Sequence, residues 1–373
     1  MFENTTPVSV FIDLAIIFII YVILRPVFVF NEDVTKKRLY AGIFFILLFC
    51  VFAFWSWDYF SYGKLFTKVR NSGKSVQDIE PVYNFLMIYI CPSYEIFRLI
   101  VWGVALTLYA ATIKRLNINE CNAWFILGIG FLPWFSYARV SIVPAIIIYG
   151  MSLFSAPFEK NKMLSMVLGF IIILSSVFFH KSAFFGTAIA LICLVVPSST
   201  KNSWFYVILG LIIAPFILRF LFQEFITIDF GKDADISRFT TAAQSTANTS
   251  FYANSSIGPL LKDLLEHLPY FLTCILAYRI QTNYEVPRGI STILKFNFYM
   301  VLFSTLFLFD LGADTSELYE RYLRFSILPG AITLTYAYEK NLFHKHTIAT
   351  ISCAVFATFY LLIYCVYDAF ANS

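Results

Sequence analysis

Long apolar runs follow one another along the whole sequence, and they restrict the possible folds more than any other feature. Many of the runs are ~17 to 25 residues long, the length of an α-helix that crosses a hydrocarbon core of ~30 Å. Barrel strands would instead be alternating segments of about ten residues. Hydrophobic residues make up 59% of the chain and charged residues only 13%, about half the charged fraction of soluble globular proteins. We therefore predict an all-α, polytopic integral membrane protein with one domain over residues 1–373.

Hydropathy predicts about twelve transmembrane helices, with a range of about ten to fourteen. The predicted spans are residues 8–30, 39–57, 96–113, 123–136, 140–154, 164–179, 183–196, 204–222, 268–277, 292–309, 326–337 and 347–367. The Lys and Arg residues of the short loops fall on alternate connections, so the positive-inside rule places those connections in the cytoplasm. The N-terminal segment has no basic residue before its apolar run, so we expect that run to stay in the protein as a membrane helix.

This orientation places two polar stretches outside the cytoplasm. Residues 57–95 are predicted to form an extracytoplasmic loop with a short helix. Residues 223–267 are predicted to form a long extracytoplasmic loop, and the helical spacing of leucines in 260–268 predicts an amphipathic helix in the membrane interface.

A polar interruption at residues 179–183 (Phe-His-Lys-Ser-Ala) separates two of the predicted spans. Both runs are long enough to enter a bilayer, and polar and ionisable groups at that depth are costly and mark a functional site by default. His180 and Ser182 are therefore candidates for chemistry. A single His at a helix end also serves as a structural cap, and without partner ligands it does not bind a metal. Both interpretations stay open.

Two further polar clusters fall on the same predicted face, between the second and third spans. Asp58 and Tyr62 are four residues apart and share one face of a predicted helix, with Tyr59 just beside them, and Glu80 and Tyr83 follow. A carboxylate accepts hydrogen bonds from sugar hydroxyls, and a tyrosine both donates and stacks. The alternative is a helix cap at the membrane interface with tyrosines of an aromatic belt.

Arginines complete the predicted outer face. Arg139 is isolated between two short spans, where it either extends to lipid headgroups or holds an anion. Glu320, Arg321, Tyr322 and Arg324 lie just before the penultimate span. Glu317 with Arg321, and Glu320 with Arg324, have the spacing of helical ion pairs, so a structural ladder explains this cluster as well as an anion site does.

Several chemistries find no support in the sequence. The seven cysteines are scattered without a CxxC pair and are interpreted as packing residues. There is no Walker A, HExxH or GxSxG motif. We expect no cofactor, no metal site and no nucleic-acid partner.

In these motifs the sequence resembles the EpsG-like, Wzy-type polysaccharide polymerases of bacterial membranes. The features that carry the resemblance cover roughly residues 50 to 330 and are Asp58-Tyr59-x-x-Tyr62, Glu80-Pro81-x-Tyr83, the isolated Arg139, His180-x-Ser182-Ala183 and Arg321-Tyr322. Members often follow the isolated arginine with glutamine and a small residue two further on, whereas this chain has Val140, Ser141 and then Pro144.

The resemblance implies a GT-C-like glycosyltransferase at the outer face of the bacterial cytoplasmic membrane. Its donor and acceptor would both be polyprenyl-diphosphate-linked oligosaccharides, transferred with inversion and without a metal. A flippase and a chain-length regulator would be possible partners beside membrane lipid.

Roles for individual residues follow from the same resemblance. Arg139, Arg321 and Arg324 would clamp the departing diphosphate, and His180 or Glu320 would act as the base. Asp58, Tyr59, Tyr62, Glu80 and Tyr83 would orient sugar rings, with Ser182 and Tyr322 beside them. Three rival functions stay open: a membrane O-acyltransferase, a flippase or transporter of lipid-linked glycans, and an O-antigen-type ligase.

Overall fold

The computed structural model describes residues 7–30, 35–52, 57–73, 79–131, 138–156, 159–180, 182–195, 257–305 and 321–371. Every regular element within these ranges is helical, which confirms the predicted all-α class. The described α-helices are α1 Pro7–Phe30, α2 Lys36–Val51, α3 Trp57–Ser72, α4 Pro81–Phe85, α5 Tyr94–Arg115, α6 Glu120–Gly130, α7 Ala138–Ser155, α8 Lys162–Ser175, α9 Ala183–Val195, α10 Ile257–Asn283, α11 Arg288–Thr305, α12 Ile327–Glu339 and α13 His344–Ala371.

Short helices of other types connect some of these elements. A π-helix, Leu86–Ile90, continues α4, and 3₁₀-helices at Glu159–Asn161, Ser176–Phe178 and Arg324–Ser326 adjoin α8 and α12. Polar side chains begin the helices in the expected way: the Ser93 hydroxyl accepts from the Ile96 N–H before α5, and Asn119 accepts from the Asn122 N–H before α6.

Each predicted span other than residues 204–222, which lie outside the described residues, coincides with at least part of a described helix. Among the described helices, α5 (Tyr94–Arg115) has both the length and the apolar composition of a membrane span. Shorter apolar helices cover Pro81–Ile90, Ser141–Ser155, Lys162–Phe178 and Ala183–Val195. The number of about twelve transmembrane helices stays a prediction.

Two predicted segments differ from the structure. Residues 57–95 contain α3, of 16 residues, and then α4 with its π-helix, rather than one short helix within a loop. Residues 257–283 form the continuous helix α10, whereas the sequence suggested a separate interfacial helix that ends before a span at 268. Pro269 lies inside α10, where its ring removes one backbone hydrogen bond and crowds the preceding turn.

Helix α7 is central to the part of the fold that carries the candidate residues. It packs against α5, α8, α9 and α11. Helices α7 and α8 are antiparallel and very close, because Gly150 and Gly169 bring the two backbones together. The start of α7, which bears Arg139, therefore lies at the same end of this pair as the end of α8, which leads to His180.

Candidate functional site

Two of the predicted polar clusters meet in the interior. The Glu80 Oε1 atom lies 3.6 Å from the His180 Nε2 atom, and both side chains are almost completely buried. Glu80 occupies the N-cap position of α4, and His180 lies between the 3₁₀-helix Ser176–Phe178 and α9. Two residues a hundred positions apart in the chain are therefore within ion-pair distance, in surroundings that exclude water.

Ser182 covers the other ring nitrogen of His180. Its Oγ atom is 2.7 Å from His180 Nδ1, and its backbone N–H donates to the same Nδ1 over 3.1 Å. A backbone N–H can only donate, so Nδ1 must accept. The neutral ring then carries its proton on Nε2, which faces Glu80. The chain Glu80–His180–Ser182 is thus polarised in one direction.

Local contacts hold Glu80 in place. Pro81 begins α4 with its fixed backbone angle, and the Asn84 side-chain amide donates to the Ile79 carbonyl over 2.7 Å. The Tyr83 ring is fully buried and packs edge to face on Phe97 of α5, with centroids 5.8 Å apart. The Tyr83 ring thus has a packing role in the interior, and the sugar contact that we expected of it stays a prediction.

Residues 321–325 pack against α9, the helix that follows Ser182. Phe185 lies in the first turn of α9, and its ring centroid is 5.8 Å from that of Tyr322. Gly186 lies so close to the Phe325 ring that an added Cβ would be 2.3 Å from Phe325 Cε1. Arg324 lies between Tyr322 and Phe325 in the sequence and is only 2% exposed. Its side chain is therefore inside the protein, in the 3₁₀-helix Arg324–Ser326 that packs against α7, α11 and α12.

Tyr322 is also an interior aromatic residue. Its ring contacts Phe303 of α11 with centroids 5.1 Å apart, in addition to Phe185. The residue is 4% exposed, which favours packing over contact with a sugar.

Three of the remaining candidate residues lie on α3. Asp58 and Tyr59 lie in the first turn of α3, and Tyr62, one turn further on, is partly buried against the core. Helix α3 packs on α5 and on the π-helix that continues α4.

Arg139 is the second residue of α7, and Arg321 is partly buried. Glu317 and Glu320 lie outside the described residues, so the predicted ion-pair ladder stays a prediction.

Arg98 is a buried charged residue that was not among the candidate residues predicted from the sequence. It is fully buried in α5, and its Nε and Nη2 atoms donate to the Cys50 carbonyl near the end of α2, over 3.1 and 2.5 Å. Its Nη1 atom donates to the Tyr94 hydroxyl over 3.4 Å. The signal in the sequence was an arginine inside an otherwise apolar span. Arg98 joins α2 to the helix whose Phe97 supports Tyr83.

Within the described ranges, no group of three or more His, Cys, Asp or Glu side chains is close enough to hold a metal ion. Comparisons with protein-family models, with curated proteins and with solved structures find no match for this chain.

Proposed function

We propose that this chain is an integral membrane glycosyltransferase of the GT-C-like type. It would polymerise polyprenyl-diphosphate-linked oligosaccharide repeat units at the outer face of the bacterial cytoplasmic membrane. The observation that carries the proposal is the buried Glu80–His180–Ser182 chain, since three motif residues of the resembled polymerases meet there: Glu80 lies within ion-pair distance of His180, and His180 is hydrogen-bonded to Ser182.

The distribution of side chains supports the membrane part of the proposal. The outward side of α8 exposes Leu164, Val167 and Ile171, whereas its inward side buries Ser165 and Gly169. The Ser165 hydroxyl donates to the Leu153 carbonyl of α7 over 2.9 Å. Small and polar residues between helices, with large apolar residues outside, are typical of helix packing in lipid.

The proposed reaction assigns roles to several charged candidate residues. The acceptor hydroxyl attacks the anomeric carbon of the donor sugar while the bond to the diphosphate oxygen breaks, so inversion is expected. The departing diphosphate needs positive charge, which Arg139, Arg321 and Arg324 would supply. The acceptor hydroxyl needs a base, and His180 accepts its proton with Glu80 balancing the charge of the imidazolium. This scheme requires no metal.

The test is the surface glycan of the native host after deletion of the gene and complementation with variants. We expect the deletion to abolish long chains while lipid that carries a single repeat unit remains, and the wild-type gene to restore the chains. Glu80→Gln and His180→Asn should fail to restore them. The matched controls Glu285→Gln and His346→Asn change exposed residues of the same types and should restore them fully.

Other outcomes would assign another function. An intact ladder that lacks only an acyl group would indicate the O-acyltransferase, and repeat units that accumulate at the inner leaflet would indicate the flippase or transporter. Finished polymer that stays on its lipid carrier would indicate the ligase. Each of these results would refute the polymerase.

A further inference from the structure

The acceptor nitrogen of His180 is already occupied in the structure. Nδ1 receives the backbone N–H of Ser182 and lies 2.7 Å from its hydroxyl oxygen. Nε2 carries the ring proton and faces Glu80. An incoming sugar hydroxyl therefore meets no ring nitrogen with an open lone pair unless Ser182 is displaced.

The Ser182 hydroxyl can accept a further hydrogen bond, which the Nδ1 atom of His180 cannot. A serine hydroxyl has one proton and two acceptor lone pairs. Because the hydroxyl proton points to His180 Nδ1, the two lone pairs of the oxygen can accept from a second donor. A sugar hydroxyl is such a donor.

We propose that Ser182 is a catalytic residue that relays the proton of the acceptor hydroxyl to His180, an inference that rests on the proposed polymerase function. The acceptor hydroxyl gives its proton to Ser182 Oγ while Ser182 gives its own to His180 Nδ1. The acceptor oxygen forms the bond to the anomeric carbon, and the diphosphate leaves with the electrons of the broken bond. Glu80 stabilises the imidazolium, which later returns its proton through Ser182 to water.

Glu80 stabilises the protonated form of the His180 ring in this relay. When Nδ1 gains a proton, it can no longer accept the Ser182 backbone N–H, so one buried hydrogen bond is lost as the imidazolium forms. A carboxylate 3.6 Å from the opposite ring nitrogen offsets that loss by attraction to the new charge.

The local fold allows the hydroxyl to be removed without disturbing the ring. The His180 ring accepts the backbone N–H two residues later, and this turn does not involve the Ser182 side chain. Ser182→Ala therefore keeps the backbone hydrogen bond, and with it the protonation state of the ring. Only the proposed relay atom is lost.

The experiment measures the initial rate of chain formation by the purified full-length protein. The substrate is the polyprenyl-diphosphate-linked repeat unit extracted from the host deletion strain. Proton transfer by a positioned side chain contributes about 10²–10⁴-fold to rate, so Ser182→Ala should lower kcat by at least ~100-fold with little change in KM. Ser182→Thr, which keeps a hydroxyl, should recover activity to within ~10-fold of wild type. Ser165→Ala, which removes another buried serine hydroxyl, should keep the wild-type rate.

A double variant distinguishes a relay from two separate contributions. Groups that act as one unit lose activity non-additively, so Ser182→Ala in a His180→Asn background should cause no further loss. The relay is refuted if Ser182→Ala keeps kcat within ~3-fold of wild type, or if the two losses multiply. If the wild-type protein forms no chains from the lipid-linked unit, the polymerase function itself fails, and the relay fails with it.

Discussion

The contact between α7 and α8 makes a sharp prediction, because the backbones of the two helices touch at two glycines. A Cβ added at Gly150 would lie 2.7 Å from the Gly169 carbonyl oxygen and 3.1 Å from the Ile173 backbone nitrogen. Ordinary contacts of a Cβ begin at 3.4 Å. Because these neighbours are backbone atoms, no side-chain rotation can relieve the overlap. Gly150→Ala must therefore push α8 away by about 0.7 Å, the difference between 3.4 and 2.7 Å.

Two opposing terms determine the size of the effect. Inserting a methyl group into a packed contact costs about 1–3 kcal/mol, whereas replacing glycine by alanine inside a helix gains about 0.5–1 kcal/mol. The difference between these two ranges is a net destabilisation of about 0–2.5 kcal/mol for Gly150→Ala, with a middle value near 1 kcal/mol. Gly103→Ala is the matched control, because a Cβ at Gly103 in α5 meets nothing within 4 Å. That variant should be as stable as wild type or more stable by about 0.5–1 kcal/mol.

Equilibrium unfolding in mixed detergent, followed by circular dichroism, measures both free energies. The same displacement should reach the site, because α8 leads through the 3₁₀-helix Ser176–Phe178 to His180. A misplacement near 1 Å can cost about 10²-fold in rate, so chain formation by Gly150→Ala should fall by at least ~10-fold while Gly103→Ala stays active. Equal unfolding midpoints for the two variants would contradict the packing argument. Normal activity in a destabilised Gly150→Ala would separate the helix contact from the site.

The remaining predictions concern the start of α9, the buried arginine of α5 and the orientation in the membrane. Gly186→Ala should destabilise the protein by about 1–3 kcal/mol, because its Cβ would overlap the Phe325 ring; Phe325→Leu in the same chain should recover part of that loss in a double-mutant cycle, and strictly additive losses would contradict the contact. Arg98→Met should cost about 1–3 kcal/mol in unfolding experiments, because it leaves a buried carbonyl at the end of α2 without its donor; a wild-type midpoint would be the contrary result. A cysteine at exposed Lys68 should react with an impermeant maleimide in intact cells, whereas one at exposed Lys340 should react only after lysis; the reverse pattern would invert the predicted topology. The unaltered protein supplies the background of its native cysteines.

The positions of the helices and the polar interruption at His180 could be predicted from the sequence. Apolar runs of bilayer length and the basic loops between them follow from local composition, and the structure has helices at those positions throughout its described ranges. The break between α8 and α9 was visible because His180 and Ser182 interrupt an apolar stretch. Polar residues in such surroundings are conspicuous in any sequence of this class.

The pairing of Glu80 with His180 depended on the tertiary structure alone. No local pattern relates two residues so far apart in the chain, and the side chains meet only because α4 and α9 are brought together by α5 and α7. The burial of Arg98 and of the Tyr83 ring has the same origin. Both depend on how α5 packs against its neighbours.

The sequence by itself determined that this chain is helical and apolar, with a few polar points, while only the tertiary structure decided which face of each helix is inside. In water, an apolar stripe marks the buried face of a helix. In helix α8 both sides are apolar: Ile173 is fully buried, whereas Ile171, two residues earlier, is 54% exposed. Because apolar side chains occupy both the buried and the exposed side of this helix, periodicity could not distinguish the two sides. Close backbone contacts such as Gly150 with Gly169 set the rotation of the helices, and that rotation brings the buried polar groups together.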